Sequence, residues 1–169
     1  MGYTIAICDD DKNMADKLTV SLKNEFMKAG RNDVIIDYYD TGVQLLEALK
    51  NKMYKAVLLD INMEPMDGFA VAEAIGKSGY RTKIIFVTSH EDVVYDTFDY
   101  TPFYFIRKSR YETYVQRVVK KLIAIDGYEK TIVLDDKDGI ININSGDITY
   151  VHSEDHYLTV HTADGRSEE

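Results

Sequence analysis

Acidic, hydroxyl and amine side chains gather at the ends of short apolar runs in this 169-residue chain. Asp9, Asp10 and Asp11 follow the run Tyr3–Cys8, and Asp60 follows Ala56–Leu59. Thr88 and Ser89 follow Lys83–Val87, and Lys108 comes shortly after Phe103–Ile106. Brought together, these groups would hold a metal ion and handle a phosphoryl group. Two carboxylates about 4 Å apart repel by about 4 kcal/mol at an effective dielectric of ~20, so three in one cleft need a cation. Oxygen donors of this kind suit Mg²⁺, which takes one or two carboxylates and keeps several waters. One carboxylate can then act as a nucleophile and become an acyl phosphate. Such transfer needs positioning and charge neutralisation more than covalent help. A lysine ammonium would neutralise a phosphoryl oxygen, and a threonine hydroxyl would donate a hydrogen bond to another.

The apolar runs are short and nearly continuous, as strands buried on both faces of a parallel sheet are. A further run, Val34–Tyr39, has the same character. Helical spacing fills the gaps. Met14, Leu18, Leu22 and Phe26 recur before Gly30, and Val43, Leu45, Leu46 and Leu49 follow the N-cap candidate Thr41. A third helix is predicted from about Asp67 to Lys77 and a short fourth over about Glu91–Phe98. A fifth begins near Ser109 and carries Tyr114, Val115, Val118, Val119, Leu122 and Ile123. Five alternating strand–helix units predict an α/β fold, a flavodoxin-like doubly wound sheet of five parallel strands in the order 2-1-3-4-5. That order makes strands 1 and 3 neighbours. The acids at their carboxyl ends then converge, and strands 4 and 5 bring Thr88 and Lys108 beside them.

The pattern changes after Gly127. Thr131–Leu134, Gly139–Ile143, Asp147–Val151 and Tyr157–His161 are strand-like, and no helix is evident. The Asp-Lys-Asp-Gly, Asn-Ser-Gly and Ser-Glu-Asp-His stretches between them read as hairpin turns, so a short antiparallel β segment is expected. Two domains follow, residues 1–127 and 128–169. Residues 129–169 carry 3 Lys+Arg against 10 Asp+Glu, so most of the net charge of −9 lies there. That sign disfavours nonspecific nucleic-acid binding. A β segment of this length is marginal alone, so it is expected either to be part of a larger domain or to borrow a partner for its core. No apolar stretch approaches the ~20 residues needed to span a bilayer. The start of the chain lacks a signal-peptide pattern, and one cysteine, Cys8, rules out an internal disulfide. A cytoplasmic location is expected.

The stretches "IAICDDD", "VLLDINMEPMDG", "IIFVTS" and "FYFIRKS" resemble the motifs of response-regulator receiver domains of two-component systems, over roughly residues 1–125. The resemblance implies that Asp60 is the phosphoacceptor, that Asp10 ligates Mg²⁺ directly and that Asp9 acts through water. It also implies that the Asn62 backbone carbonyl completes the metal shell. Thr88 and Lys108 match the family's switch hydroxyl and lysine, and Phe105 the aromatic whose rotamer follows the switch. Asn62 and His90 occupy positions that tune acyl-phosphate lifetime. The implied partner is a sensor histidine kinase, and the domain would catalyse only its own phosphorylation and dephosphorylation. Two departures stand out. Met63-Glu64-Pro65 replaces the family's Met-Pro, and Ser109 replaces the proline after the lysine. A cis peptide before Ser costs about 2.5–4 kcal/mol, against 0.5–1 before Pro, so a trans loop is expected there.

The stretch "GDITYVHSEDHYLTVHTADGR" resembles the first part of a LytTR (LytR/AlgR-type) DNA-binding domain, used in transcription regulation. Family members place a DNA-contacting polar residue in the loop held here by His152 to His156. DNA binding is expected only with a complete second domain. Phosphorylation is expected to reshape the face of the fourth helix, fifth strand and fifth helix. Tyr95, Phe98, Tyr100, Tyr104 and Tyr111 would line it for homodimerisation. Two other readings stay open. Asp9-x-Asp11 mimics the nucleophile loop of haloacid-dehalogenase phosphatases, although Asn13 stands where that family has Thr or Val. Alternatively the acids cap helices in a binding module that holds no metal.

Overall fold

The computed structural model describes residues 3–89, 100–128, 131–136, 139–154, 157–162 and 167–168. The predicted fourth helix lies outside these residues, with His90, Tyr95 and Phe98, and so does His156. The chain divides into two compact units, Met1–Val119 and Lys120–Glu169.

The first unit alternates as its sequence implies. Its strands are β1 (Tyr3–Cys8), β2 (Val34–Tyr39), β3 (Ala56–Asp60), β4 (Lys83–Thr88) and β5 (Tyr104–Arg107). They form one parallel sheet in the order β2-β1-β3-β4-β5. The helices are α1 (Lys12–Lys28), α2 (Gly42–Leu49), α3 (Gly68–Lys77) and α4 (Tyr111–Tyr128). The last runs through the division between the units, which falls before Gly127. Side chains that accept from free N–H groups start the first three helices. Asp11 caps α1 by accepting from Asn13 and Met14 N–H at 2.9 and 3.2 Å. Thr41 caps α2, and Asp67 caps α3 through Ala70 N–H at 2.8 Å. Gly30 and Gly79, just past α1 and α3, have φ of +79° and +73°, the left-handed conformation that ends helices.

β3 is buried along its whole length, as the central strand of a sheet covered on both faces must be. Alternate residues build two cores. Ala6, Cys8, Val57, Leu59 and Phe86 pack with Leu45, Leu49, Val71 and Ile75 of α2 and α3. Ile5, Ile7, Leu58 and Ile85 are fully buried on the opposite face, and α1 buries Leu18, Leu22 and Phe26. Each such side chain contributes about 1.5–3 kcal/mol. The Cys8 thiol donates to Met63 Sδ at 3.6 Å. Burial, then the Asp9 and Asp60 carboxylates, push its pKa up to about 12.

In the second unit β6 (Thr131–Asp136) and β7 (Gly139–Asn144) form an antiparallel pair. β8 (Ile148–Glu154), β9 (Tyr157–Thr162) and β10 (Ser167–Glu168) form a separate three-stranded sheet. The Asn-Ser-Gly stretch is therefore not a hairpin turn. Ser145–Asp147 is a 3-10 turn carrying the chain from one sheet to the other. The turn residues do not tell a link between sheets from a link within one. Tyr150 stacks on His161, its cross-strand partner, with centroids 4.1 Å apart.

Candidate functional site

Strand ends bring the predicted residues together. β1 and β3 are paired with Cys8 opposite Leu59, so Asp9 and Asp60 emerge side by side. The 3-10 turn Lys108–Arg110 after β5 aims Lys108 back across the sheet. Its ammonium lies 2.9 Å from Asp60 Oδ2, 2.9 Å from Asp9 Oδ2 and 3.1 Å from Asp9 Oδ1. Asp9 Oδ1 also accepts from Asp11 N–H at 2.9 Å. Ligating oxygens of Asp9, Asp10 and Asp60 all lie within 4.8 Å of one another. Asp9, Asp60 and Thr88 are buried, while Asp10 is exposed. The Lys108–Ser109 peptide is trans, and Glu64–Pro65 is cis.

One ammonium thus faces two buried carboxylates. Burial raises the pKa of both Asp9 and Asp60, against the lowering effect of the Lys108 hydrogen bond. Burial alone would depress Lys108, but its hydrogen bonds to Asp60 and Asp9 hold it above its ordinary value. The charge ledger is short by one cation. Among the described residues, Asp9 Oδ2, close to Lys108 yet accepting no well-aligned hydrogen bond, is a buried oxygen left with capacity to spare. A hard divalent cation suits three carboxylates so placed.

Thr88 ends β4, and Phe105 pairs with Phe86 two residues upstream of it. Alternation puts Thr88 and Phe105 on the same face of the sheet, one strand apart. Phe105 packs against the core beneath α2 and α3. Asn62 is exposed, and its N–H reaches Asp60 Oδ1 at 3.5 Å.

Other expectations need correcting. Tyr100 is partly buried. It stacks on Phe69 at 5.2 Å and meets Phe86 edge-on, because the apolar ring finds core to cover. Tyr104 and Tyr111 stay partly exposed, Tyr104 meeting Tyr114 edge-on. His152 sits within β8, in register with Thr159, and not in a loop.

Gly68 carries a constraint that residue types alone do not show. A Cβ on it would lie 2.2 Å from the Asp60 carbonyl oxygen and 2.9 Å from Ile61 Cα. Its own N–H donates to the Ile61 carbonyl at 2.9 Å. Overpacking costs about 1–3 kcal/mol where side chains can yield, and here the neighbour is main chain. Gly68→Ala is expected to lose at least about 2 kcal/mol, read as a lower urea midpoint at unchanged m-value.

The family model for the response regulator receiver domain matches residues 5–120. The chain belongs to the response regulator receiver family. As a receiver it resembles the transcriptional regulatory protein YpdB of Escherichia coli (strain K12), 28% identical over 90 residues. That match covers 53% of this chain and 37% of YpdB, so the receiver spans little more than a third of that relative. Likeness to the sensory transduction protein LytT of Bacillus subtilis runs further. It is 22% identical over 174 residues, covering 95% of this chain and 69% of LytT. The response regulatory domain of MrkE from Klebsiella pneumoniae shares the fold. Its TM-score is 0.64 at 22% identity, covering 72% of this chain and 96% of that one. The receiver also matches TrrA of Thermotoga maritima, solved in complex with Mg²⁺-BeF. There the TM-score is 0.59 at 29% identity, covering 72% of this chain and 99% of that one. No helix among the described residues is long and apolar enough to cross a membrane.

Proposed function

We propose that this receiver takes a phosphoryl group on Asp60 in a Mg²⁺-dependent reaction and uses it as a switch. The observation that carries the reading is the Lys108 ammonium shared by two buried carboxylates, with a third acid in metal-ligating reach. An Asp60 carboxylate oxygen attacks phosphorus, the bond from phosphorus to the donor atom breaks, and an acyl phosphate forms. Asp9, Asp10, Asp60 and the Asn62 carbonyl would hold the ion, which supplies positive charge for the phosphoryl oxygens. Lys108 is placed to pair with one of those oxygens and the Thr88 hydroxyl to donate to another. Phe105 then follows Thr88 inward. The donor in the cell would be a sensor histidine kinase, and the location the cytoplasm.

The output is assigned to residues 128–169 as part of a LytTR-like domain, supported by the LytT likeness across nearly the whole chain. Residues 1–127 form the receiver. Transcription regulation through that domain is the proposed output, with His152 and His156 candidates for DNA contact. This acidic chain by itself is expected to give no tight, sequence-specific gel shift at low salt. A homodimer through the face of the predicted fourth helix, β5 and α4 would report the switch.

One experiment tests the core of the reading. Incubation with acetyl phosphate and Mg²⁺ is expected to add the mass of one phosphoryl group to the peptide holding Asp60, and EDTA to prevent it. Beryllofluoride is expected to shift the protein to a dimer on sizing. Labelling at Asp9 instead would favour dehalogenase-type chemistry, and no Mg²⁺-dependent labelling would leave a module whose acids cap helices.

A further inference from the structure

We infer that Tyr38 is a positioning residue for the metal-binding acids, its phenol clamping the peptide between Asp9 and Asp10. The inference rests on reading Asp9, Asp10 and Asp60 as Mg²⁺ ligands. The Tyr38 hydroxyl donates to the Asp9 carbonyl oxygen at 3.0 Å. On the other side of the same residue, Asp9 N–H donates to the Tyr39 carbonyl at 3.2 Å. Two consecutive tyrosines ending an edge strand therefore hold both main-chain polar groups of Asp9. The Tyr39 bond merely continues the β1–β2 ladder, in which Cys8 faces Tyr39, and any residue at that position supplies it. The Tyr38 bond is different, because it needs a hydroxyl of that reach.

The geometry has a consequence for Asp10. The Asp9 carbonyl and the Asp10 N–H belong to one planar peptide. Holding the oxygen stops the plane from rotating and so sets the direction in which the Asp10 side chain leaves the turn. Asp9 and Asp60 are kept in place by burial and by Lys108. Asp10 is exposed, yet its carboxylate must meet theirs. An exposed acid relies on its backbone for placement. The clamp is itself held down, since the Lys12 ammonium lies 4.7 Å above the Tyr38 ring and pairs with Asp16 one turn along α1.

A second phenol network offers a matched control. Tyr54 donates to Asp37 at 2.6 Å and shares a 2.6 Å hydrogen bond with Tyr39, while Lys52 pairs with the same Asp37 carboxylate. None of these side chains bonds to the acids at the strand ends.

The test is Mg²⁺ titration calorimetry on the full chain as wild type, Tyr38→Phe and Tyr54→Phe, with melting temperatures in EDTA. Groups that orient metal ligands typically change affinity by about 10–100-fold when removed. Tyr38→Phe is expected to bind Mg²⁺ about tenfold more weakly while melting in EDTA close to wild type. Tyr54→Phe is expected to melt lower but keep its Mg²⁺ affinity. Equal affinity in wild type and Tyr38→Phe overturns the clamp and leaves the ligand assignment standing. An equal loss in Tyr54→Phe also overturns it, because any missing phenol would then suffice. A wild type that binds no Mg²⁺ overturns the ligand assignment and the clamp with it.

Discussion

Asp60→Asn takes up no phosphoryl group from acetyl phosphate and, in EDTA, melts roughly 5 °C above wild type. The first half follows from losing the nucleophilic carboxylate. The second follows from charge. Asp60 and Asp9 are buried and share one ammonium, so one negative charge lacks a partner. An amide of nearly the same shape removes that charge. Replacing buried ionic groups by neutral ones of similar volume often stabilises, and here we expect about 2 kcal/mol. For a chain of this length each kcal/mol moves the melting point by roughly 2–4 °C. The pH dependence has a definite sign. Burial raises both carboxyl pKa values in the folded state. Stability is then fully present below the ordinary carboxylate value and is lost as pH rises through the raised one. Metal-free wild type should therefore weaken from about pH 4 upward, and Asp60→Asn should weaken less. Thermal melts in EDTA across that window check it. A mutant that melts below wild type at neutral pH would sink the charge account. A mutant still labelled by acetyl phosphate would sink the assignment of Asp60.

Lys108→Ala is the opposite experiment, expected to cost about 3 kcal/mol at neutral pH without metal. Removing one partner of a buried pair leaves charge with nothing to face, and here it leaves two carboxylates facing each other. Lys108, raised above its ordinary value by Asp60 and Asp9, gives its full stabilisation well below that value, so all of it is at stake at neutrality. The deficit should shrink at acid pH, where the carboxyls take up protons, and shrink again in saturating Mg²⁺. A cycle with Asp60→Asn adds a sharper check, because residues in one ionic network are not additive. The double variant should be clearly less destabilised than the two single effects summed. Urea unfolding of all four proteins measures this, and strict additivity would remove Lys108 from the carboxylate cluster.

Much of this was legible in residue order because parallel sheets leave a strong trace. Strands buried on both faces read as unbroken apolar runs, and their carboxyl ends are where polar residues such as Asp9, Asp60 and Thr88 stand out. The helix starts at Thr41 and Asp67 were equally plain, since a cap is a local hydrogen bond. What stayed hidden depends on the third dimension. The path of Tyr100 into the core follows from Phe69 and Phe86 lying close by, and nothing nearby in sequence announces them. The closeness of Gly68 to the Asp60 main chain is a packing fact, hinted at by a glycine directly after a capping aspartate. Tyr38 looked like one more strand residue, because a phenol that bonds a carbonyl 29 positions away has no local signature. In the second unit the turns were visible, but their residue types did not say which of them changes sheets.

Cys8 turns the core into a stopwatch. It is the single cysteine of the chain, fully buried on β1, with its thiol held protonated up to about pH 12. A thiol reagent can meet it only when the sheet opens, so the labelling rate counts openings. It also stands one residue before Asp9. Any ion or phosphoryl mimic that binds the folded site alone must slow that rate by the factor it adds to the folded population. One unmodified side chain thus gives, in a single time course, both how often the receiver opens and how tightly its ligand keeps it shut.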